Sequence, residues 1–376
     1  MTDWHDELTV VCGNMVLGGW TRVRVVAGVE LCPRYFEVET TERYPGDYGL
    51  PASLTPGSLC QVFLGEDAVL TGYLDIYHPA YDANSHTVRL SGRSLVEDIV
   101  DCSIDMDALG GKSWEIRAAT LGQAAKILCD PYNVQVSLPD GDPPLDPSIP
   151  FTAQPGQTVY ALIEEIARSV NMWVWDDADG NLVLSNNTIR AATCSLVEGQ
   201  NIERAEVELR MDQRYSRIDV IGQNPVYGVD DKITVNMATS AIDNQVPRKR
   251  VLQIIFDSPG PDIKWAQQLA NWERNRRAGR SQLVRCRVSS WREQPGTQSQ
   301  PGPLWQPAST VNVQLPSLKI QGSMVVSQVQ WMKDEERGTT CELVLMPPWG
   351  LEVQPFIPPL VSQIAGAASS SGHGTP

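Results

Sequence analysis

The chain has 376 residues and a formal net charge of −15, from 45 acidic and 30 basic side chains. With 42% hydrophobic and 20% charged residues, it is expected to fold into two or three domains rather than to be disordered. The acidic excess argues against tight binding of a nucleic-acid backbone, which requires positive charge at the phosphates. The sequence shows no secretory signal and no apolar run of the roughly 18 residues that a membrane span requires. We therefore expect a soluble protein made in the cytoplasm, without a membrane span.

Short strand-like runs dominate the first hundred residues. Alternation of apolar and polar residues in RYFEVET (34–40) and TVRLSG (87–92) is typical of half-buried antiparallel strands. SLVEDIVDC (94–102) then has the pattern of a short amphipathic helix. These patterns predict a first antiparallel β-barrel domain over residues 1–101.

The middle of the chain changes to helical spacing. SWEIRAATLGQAAKILCD (113–130) and QTVYALIEEIARSV (157–170) each predict an amphipathic helix that leads into a strand. DADGNLVLSN (177–186) predicts a hairpin with Asp179-Gly180 at its turn. We assign residues 102–200, together with 226–282, to an inserted α+β domain.

The last third of the chain repeats patterns of the first hundred residues. Four pairs of segments match: 18–28 with 212–222, 56–65 with 307–316, 69–77 with 324–332, and 86–92 with 339–345. Duplication of a β-barrel would explain these matches, with the second copy discontinuous over 203–223 and 283–348. Residues 349–376, rich in proline and then in small polar residues, are predicted to form an extended arm and a flexible tail. The predicted fold class is β-rich α+β, two similar antiparallel β-barrels with an inserted α+β domain.

Enzyme signatures are absent from the sequence. It contains no nucleophile elbow, phosphate-binding loop, dinucleotide motif or HExxH zinc motif. The acidic residues of 98–107 are expected to be solvated or ion-paired rather than a glycosidase pair. The eight cysteines lack the close spacing of metal ligands and are expected to be mostly buried and reduced, with disulfides as the alternative in a mature particle outside the cell. We therefore predict no catalytic, cofactor-binding or metal-binding residues.

WERNRRAGR (272–280) concentrates four arginines within an acidic chain. Arginine pairs bidentately with carboxylates, and both arginine and tryptophan are enriched at protein interfaces. A basic helix that faces an acidic neighbouring subunit would offset the repulsion between subunits. The alternatives are that the helix presents a solvated charged face or that it contacts DNA. The residues predicted for a subunit contact are Trp272, Arg274, Arg276, Arg277, Arg280, Trp305 and Trp331.

From Trp272 to Trp349, the order WE…R, SWRE, GPLWQPASTVNVQLP, MVVSQVQW and GTTCELVLMPP resembles the baseplate hub (tail) proteins of Mu-like contractile-tailed phages. Upstream, the segments GGWTRVRV, LTGYLDIY, GRSLVEDIVDCS, PGQTVYALIEEIAR and DADGNLVL follow the order of the same family. The chain is also similar to the central hub proteins of the T-even phages. The resemblance covers nearly the whole chain to about residue 350, apart from the loop at 41–58.

This resemblance implies a structural, non-enzymatic hub in the tail baseplate of the virion, without cofactors. It implies a homotrimer with two tail-tube-like barrels per chain, which joins a threefold spike to the sixfold tail tube. The implied partners are the tail spike protein, the tail tube protein or a tube initiator, and the baseplate wedge proteins. Genome DNA would pass through the ring without specific binding, which suits an acidic wall.

One alternative function stays open at this stage. PGQTVYALIEEIARSVNMWVW (155–175) resembles the opening of the peptidoglycan-binding LysM modules, although a hairpin follows where that module has a second helix. The alternative is therefore a peptidoglycan-binding or peptidoglycan-degrading tail-associated protein.

Overall fold

The computed structural model has a fold dominated by β-strands, which confirms the prediction of a β-rich protein. It describes residues 7–13, 15–41, 54–82, 86–107, 114–147, 151–186, 190–225, 234–256, 263–294 and 301–355. The predicted tail beyond residue 355 lies outside these residues. None of the helices in the described residues has both the length and the apolar character that crossing a membrane requires.

The elements of the described residues are as follows in chain order. The first strands are β1 (Leu8–Cys12), β2 (Met15–Leu17), β3 (Arg22–Gly28), β4 (Tyr35–Thr41), β5 (Leu59–Leu64), β6 (Asp67–Tyr81) and β7 (His86–Ser94). Short strands follow, namely β8 (Glu115–Ile116), β9 (Val136–Ser137), β10 (Phe151–Thr152), β11 (Trp173–Asp176), β12 (Leu182–Ser185), β13 (Arg190–Ala191) and β14 (Leu196–Val197). The remaining strands are β15 (Arg204–Leu209), β16 (Arg217–Pro225), β17 (Thr234–Ile242), β18 (Val251–Phe256), β19 (Gln282–Val288), β20 (Ser309–Leu315), β21 (Ile320–Asp334) and β22 (Gly338–Met346). The α-helices are α1 (Glu97–Asp101), α2 (Leu121–Cys129), α3 (Val159–Ser169) and α4 (Ile263–Arg280).

A 14-stranded sheet contains two sets of strands, one from each end of the chain. The first set has the order β3-β4-β7-β6-β5-β1-β2, and the second has the order β15-β19-β22-β21-β20. Strands β21 and β3 pair antiparallel and join the two sets into one sheet. Val23, Val25 and Ala27 of β3 are buried in a core that both sets share, and Val26, on the other face of the strand, is buried as well.

The two sets repeat the same pairing register. Strands β6 and β21 are each 15 residues long. Each contains one residue that is skipped in the pairing with the neighbouring strand, Asp75 in β6 and Ser327 in β21, and we call this register shift the irregularity of the strand. Immediately before it, Leu74 pairs with Gly92 in the first set, as Val326 pairs with Leu345 in the second. The predicted matches of 56–65 with 307–316 and of 86–92 with 339–345 agree with this register. The predicted match of 69–77 with 324–332 is three residues out of register.

The predicted counterpart of residues 18–28 at residues 212–222 is wrong. Strand β16 lies in a separate sheet of order β17-β16-β18, antiparallel to β17 and parallel to β18. The place of β3 in the second set is taken by β15, which pairs with β19 as β3 pairs with β4. A strand pattern does not specify the partners of the strand, and β16 pairs with the next two strands of the chain, β17 and β18, instead of joining the 14-stranded sheet.

A second core belongs to the helical middle of the chain and contains buried residues from Val96 to Leu184. Two threonines cap its helices, since Thr120 accepts a hydrogen bond from the N–H of Gln123 and Thr158 accepts one from the N–H of Ala161. The predicted hairpin is confirmed, with β11 and β12 antiparallel on either side of the turn. Gly180 has a φ of +82° there, a conformation that favours glycine.

A third cluster forms where α4 lies on the sheet of β16, β17 and β18. Its buried members are Val220, Ala241, Ala266, Leu269, Ala270 and Trp272. This cluster has no buried residue in common with the core of 96–184. The described residues of the predicted inserted domain, 102–200 and 226–282, thus contribute to two different buried clusters.

Candidate assembly surface

Helix α4 carries the arginine stretch, and Trp272 anchors it within its own chain. The Trp272 side chain is buried, and its indole N–H donates a hydrogen bond of 2.8 Å to the carbonyl of Glu352. Glu352 also accepts hydrogen bonds of 3.0 and 2.9 Å from the amide of Asn275. The segment after β22 is thus held along α4, as the first part of the predicted arm.

Three of the four arginines have partners in the same chain. Arg277 Nε lies 2.7 Å from a carboxylate oxygen of Glu273, and its guanidinium lies 5.4 Å from the centre of the Tyr215 ring. Arg280 forms an ion pair with Glu30, which follows β3, and so ties α4 to the first set of strands. The guanidinium of Arg276 stands 5.1 Å from the centre of the Trp272 ring, a cation–π contact. Burial, together with the neighbouring positive charges, lowers the pKa of Arg276 below its ordinary value.

Arg274 donates hydrogen bonds of 3.1 and 2.9 Å from its guanidinium to the side-chain oxygen of Asn275. Like Arg276, it has no carboxylate partner within the described part of the chain. Unlike Arg276, it lines the exposed groove described below, so that among the described residues its positive charge stands beside that groove without an ion pair.

Trp305 and Trp331 belong to the interior rather than to the surface. Their side chains are 1% and 2% exposed, within the core that the two sets of strands share. Trp331 lies in β21 at the junction with β3, opposite Val25. Trp305 and Trp331 therefore serve packing inside one chain, and these two side chains offer no surface to another subunit.

An exposed groove of about 600 Å³ lies beside Arg274, between β15, β17, α4 and the arm. Four large apolar side chains on its walls are exposed by 38 to 70%, namely Leu209, Met211, Ile242 and Trp349. Large apolar side chains gathered at one exposed site are typical of a protein contact surface. The sequence analysis missed this site, because its residues come from four separated segments and only Arg274 was singled out.

The acidic residues near α1 gather around one cation. Arg93 lies 2.8 Å from a carboxylate oxygen of Asp75, 3.1 Å from one of Glu97 and 2.9 Å from one of Asp101. Burial, with the nearby charge of Asp75, raises the pKa of Glu97 to about 8. The cluster is an ion-pair network between β6, β7 and α1, and no group of side chains suited to hold a metal ion occurs in the described residues.

The raised pKa of Glu97 predicts a pH-dependent loss of stability. The folded protein favours the protonated form of Glu97. The stability that this preference adds is fully present below the ordinary pKa near 4.5 and is lost as the pH rises through the folded-state pKa of about 8. Glu97→Gln keeps a neutral side chain at every pH. Between pH 5 and pH 8.5, we expect the wild-type protein to lose about 1 to 2 kcal/mol of unfolding free energy relative to this variant. Urea unfolding at both pH values measures this difference, and parallel pH dependences would contradict it.

Comparisons with known families place the chain among phage tail proteins. Residues 7–94 match the N-terminal domain family of Mu phage baseplate assembly protein GpP-like proteins. Residues 96–186 match the second domain of baseplate hub protein gp44-like proteins, and residues 262–354 match the fourth domain of Mu phage baseplate assembly protein GpP. Together the three matches span more than two thirds of the chain.

Individual relatives agree with these matches. The chain is 28% identical to baseplate hub protein gp44 of Escherichia phage Mu over 93% of this chain and 89% of that protein. It has the fold of the 43 kDa tail protein of prophage MuSo2 from Shewanella oneidensis, with a TM-score of 0.79, 24% identity and coverage of 92% and 99%. A tail protein from Neisseria meningitidis MC58 gives a TM-score of 0.71 at 20% identity, with coverage of 93% and 99%.

These findings define the class of protein. The chain is a structural protein of a phage tail, a baseplate hub located in the virion baseplate. It belongs to the baseplate hub proteins of the Mu-like phages, as the resemblance in the sequence predicted.

Proposed function

We propose that three copies of this chain form a ring that joins a threefold tail spike to the sixfold tail tube. The observation that carries this proposal is the repetition of five strands in the same order and register within one chain. A trimer with two similar units per chain has six units in one ring, so it matches both symmetries. We propose that each set of strands forms a tube-like β-barrel, the first over 1–101 and the second over 203–209 and 282–348.

The proposed partners follow from this position in the tail. The tail spike protein would bind on the threefold side, the tail tube protein or a tube initiator on the sixfold side, and the wedge proteins around the ring. A type VI secretion protein of E. coli, described as similar to T4 tail proteins gp27 and gp5, has the same general fold, with a TM-score of 0.54 at 8% identity. It matches 93% of this chain and 79% of its own length. The net charge of −15 per chain would let genome DNA pass without adhering.

We propose a structural role without catalysis, cofactor or metal. The relatives that the chain matches are named as hub, baseplate or tail proteins. The segment that resembles a LysM opening forms α3 and then continues directly into the β11–β12 hairpin, which favours the hub over a glycan-binding module. A peptidoglycan zymogram with the pure protein should show no clearing, and a cleared band would overturn the non-enzymatic role.

The trimer is tested by size-exclusion chromatography with light scattering, on the pure chain and on the chain mixed with its spike protein. We expect three copies of this chain per complex, either in the pure protein or in its complex with the spike protein. A monomer in both samples would overturn the proposed ring.

We propose that α4 takes part in the subunit contact through Arg274 and the groove beside it. Arg274→Glu reverses a charge that has no carboxylate partner among the described residues, so we expect weaker assembly and an unchanged melting temperature. Arg280→Glu is the matched comparison, because it places a second carboxylate beside Glu30 and should cost about 1 to 2 kcal/mol of monomer stability. Melting curves and light scattering on both variants separate the two effects. Normal assembly of Arg274→Glu would contradict this contact.

A further inference from the structure

The two sets of strands meet within the chain in a seam formed by β21 and β3. Past its irregularity at Ser327, β21 leaves β20 and pairs with β3 from Gln328 to Asp334. Val329 lies opposite Ala27 and Trp331 lies opposite Val25, with all four side chains buried in the common core. This seam shows how one set of strands docks on the next.

The matched register identifies the counterpart of each side of this seam. In the first set, Arg22, Glu39, Arg89 and His78 form one row of directly paired residues across β3, β4, β7 and β6. In the second set, the corresponding row across β15, β19, β22 and β21 is Arg204, Arg287, Glu342 and Gln330. His78 and Gln330 both lie three residues after their irregularity. Strand β15 is therefore the counterpart of β3, and the end of β6 is the counterpart of the part of β21 that pairs with β3.

Both counterparts are open edges within the described residues. Among the described residues, β15 pairs only with β19, and β6 beyond Leu74 pairs only with β7, since its hydrogen bonds to β5 and to the residues just before β5 end at Leu74. Apolar side chains are exposed on both edges, with Leu209 at 70% on β15 and Ile76 at 53% and Tyr81 at 87% on β6. Open apolar strand edges are templates for pairing with another chain.

We infer that β15 of one chain pairs antiparallel with residues 76–81 of β6 in a second copy, and so forms the subunit seam of the proposed trimer. This inference rests on the proposed ring. Transferring the register of the internal seam places Leu209 opposite Tyr77 and Val207 opposite Pro79. It places Ala205 opposite Tyr81 on the same face and Glu208 opposite His78 on the other face.

The chemistry of the two edges fits this register. Ala205, Val207 and Tyr77 already pack partly against the core of their own chain, so the apolar side of one edge faces the apolar side of the other. Glu208, which also lies 3.4 Å from Arg210 and 3.6 Å from Arg285 in its own chain, would face the imidazole of His78, a ring that can donate a hydrogen bond to a carboxylate. Pro79 has no N–H, which is typical of an edge strand and limits the number of hydrogen bonds in the seam.

A second copy is the occupant because the two edges are complementary and each chain carries one of each. Pairing of unlike edges is head-to-tail, and such contacts close into a ring when the rotation fits. In a ring of three chains, the internal seam and the subunit seam alternate. Every set of strands then docks on its neighbour in the same manner.

Disulfide trapping tests the register. Residues directly opposite in an antiparallel pair have Cα atoms about 4.5 to 5.5 Å apart, within the range of a disulfide. Under mild oxidation of the full chain, His78→Cys with Glu208→Cys should give covalent dimers and trimers on a non-reducing gel. The matched control, His78→Cys with Arg204→Cys, moves one thiol four residues or about 13 Å along the strand and should give none. The single variants and the wild-type protein measure the background from the native cysteines, of which Cys102 is exposed.

A charge on the edge tests the seam without a covalent bond. Leu209→Glu should raise the concentration at which half of the trimer dissociates at least tenfold, with an unchanged melting temperature of the monomer. Val16→Glu is the control, because Val16 is 72% exposed on β2, the edge strand outside the proposed seam. The seam would be overturned, and the ring would stand, if the wild-type protein is a trimer, Leu209→Glu dissociates at the same concentration, and the cysteine pair gives no covalent dimers or trimers. A wild-type protein that stays monomeric with its spike would overturn the ring itself.

Discussion

Replacing Asp176 by alanine is expected to lower the free energy of unfolding by about 3 to 5 kcal/mol. Its side chain is fully buried and accepts hydrogen bonds from the backbone N–H of Arg34, at 2.8 Å, and from the hydroxyl of Ser94. Arg34 Nε lies 3.3 Å from the other carboxylate oxygen, and the Arg34 side chain is only 7% exposed. Without the carboxylate, a guanidinium ion stays buried without its counter-ion.

This pair also connects two parts of the molecule. Arg34 directly precedes β4 and Ser94 ends β7, both in the first set of strands, whereas Asp176 ends β11 in the helical middle part. Arg34 adds hydrogen bonds of 2.8 Å to the carbonyl of Val69 and of 2.5 Å to that of Asp176. We therefore expect Asp176→Ala to weaken the docking of the two parts as well as each part alone.

Chemical unfolding followed by circular dichroism measures the effect. Arg117→Ala is the control, because this side chain is 82% exposed in its ion pair with Glu115 and should contribute less than about 0.5 kcal/mol. Arg34→Met combined with Asp176→Leu should recover part of the loss, since no buried charge remains, whereas the N–H of Arg34 and the hydroxyl of Ser94 still lose their acceptor. A loss below about 1 kcal/mol for Asp176→Ala would contradict the role of the pair.

The sequence is informative about the strands because local patterns specify them. The alternation in 34–40 and 87–92 corresponds to β4 and β7, and the turn at Asp179-Gly180 corresponds to the observed hairpin. Local patterns do not specify which strands pair with each other, because strand pairing depends on which segments pack together in three dimensions. The pattern of 212–222 fits a strand in either sheet, and the contacts with β17, β18 and α4 decide between them.

For the candidate site, too, the sequence of the arginine stretch does not specify which residues the arginines contact. Composition indicates an unusual concentration of positive charge, but Arg280 finds Glu30 and Arg277 stacks on Tyr215 only in the folded chain. Likewise, tryptophan content does not distinguish an interface from a core, and the core covers Trp305 and Trp331. The edges of β6 and β15 became visible only when the registers of the two sets could be compared.

Gly279, inside the arginine stretch, lies where α4 touches the arm. A Cβ atom at this position would lie 2.3 Å from the Cα and 2.4 Å from the N of Gly350, closer than real contacts allow. Both opposing atoms are backbone atoms, so the contact cannot be relieved by rotating a side chain. Gly279→Ala should therefore destabilise the protein by about 2 kcal/mol, although alanine by itself favours a helix by about 1 kcal/mol.

Gly122→Ala is the matched control within another helix. Its nearest neighbours would be side-chain atoms of Asp142 and Leu138, both at 2.8 Å. Leu138 can rotate away, and a small shift of Asp142 lengthens the hydrogen bond of 2.7 Å that it accepts from the Gly122 N–H. We expect its stability to stay within about 1 kcal/mol of the wild-type value, since helix propensity offsets the adjustment. Thermal unfolding of both variants provides the comparison.

The arm also carries Trp349, which lines the groove beside Arg274. Displacing the arm from α4 therefore changes the groove wall as well as the stability, and Gly279→Ala should weaken trimer assembly even where the monomer is still folded. Light scattering below the melting temperature measures assembly, and limited proteolysis measures how accessible the segment after β22 becomes. If Gly279→Ala leaves both the cleavage rate and the trimer unchanged, the close contact between α4 and the arm does not support the assembly surface.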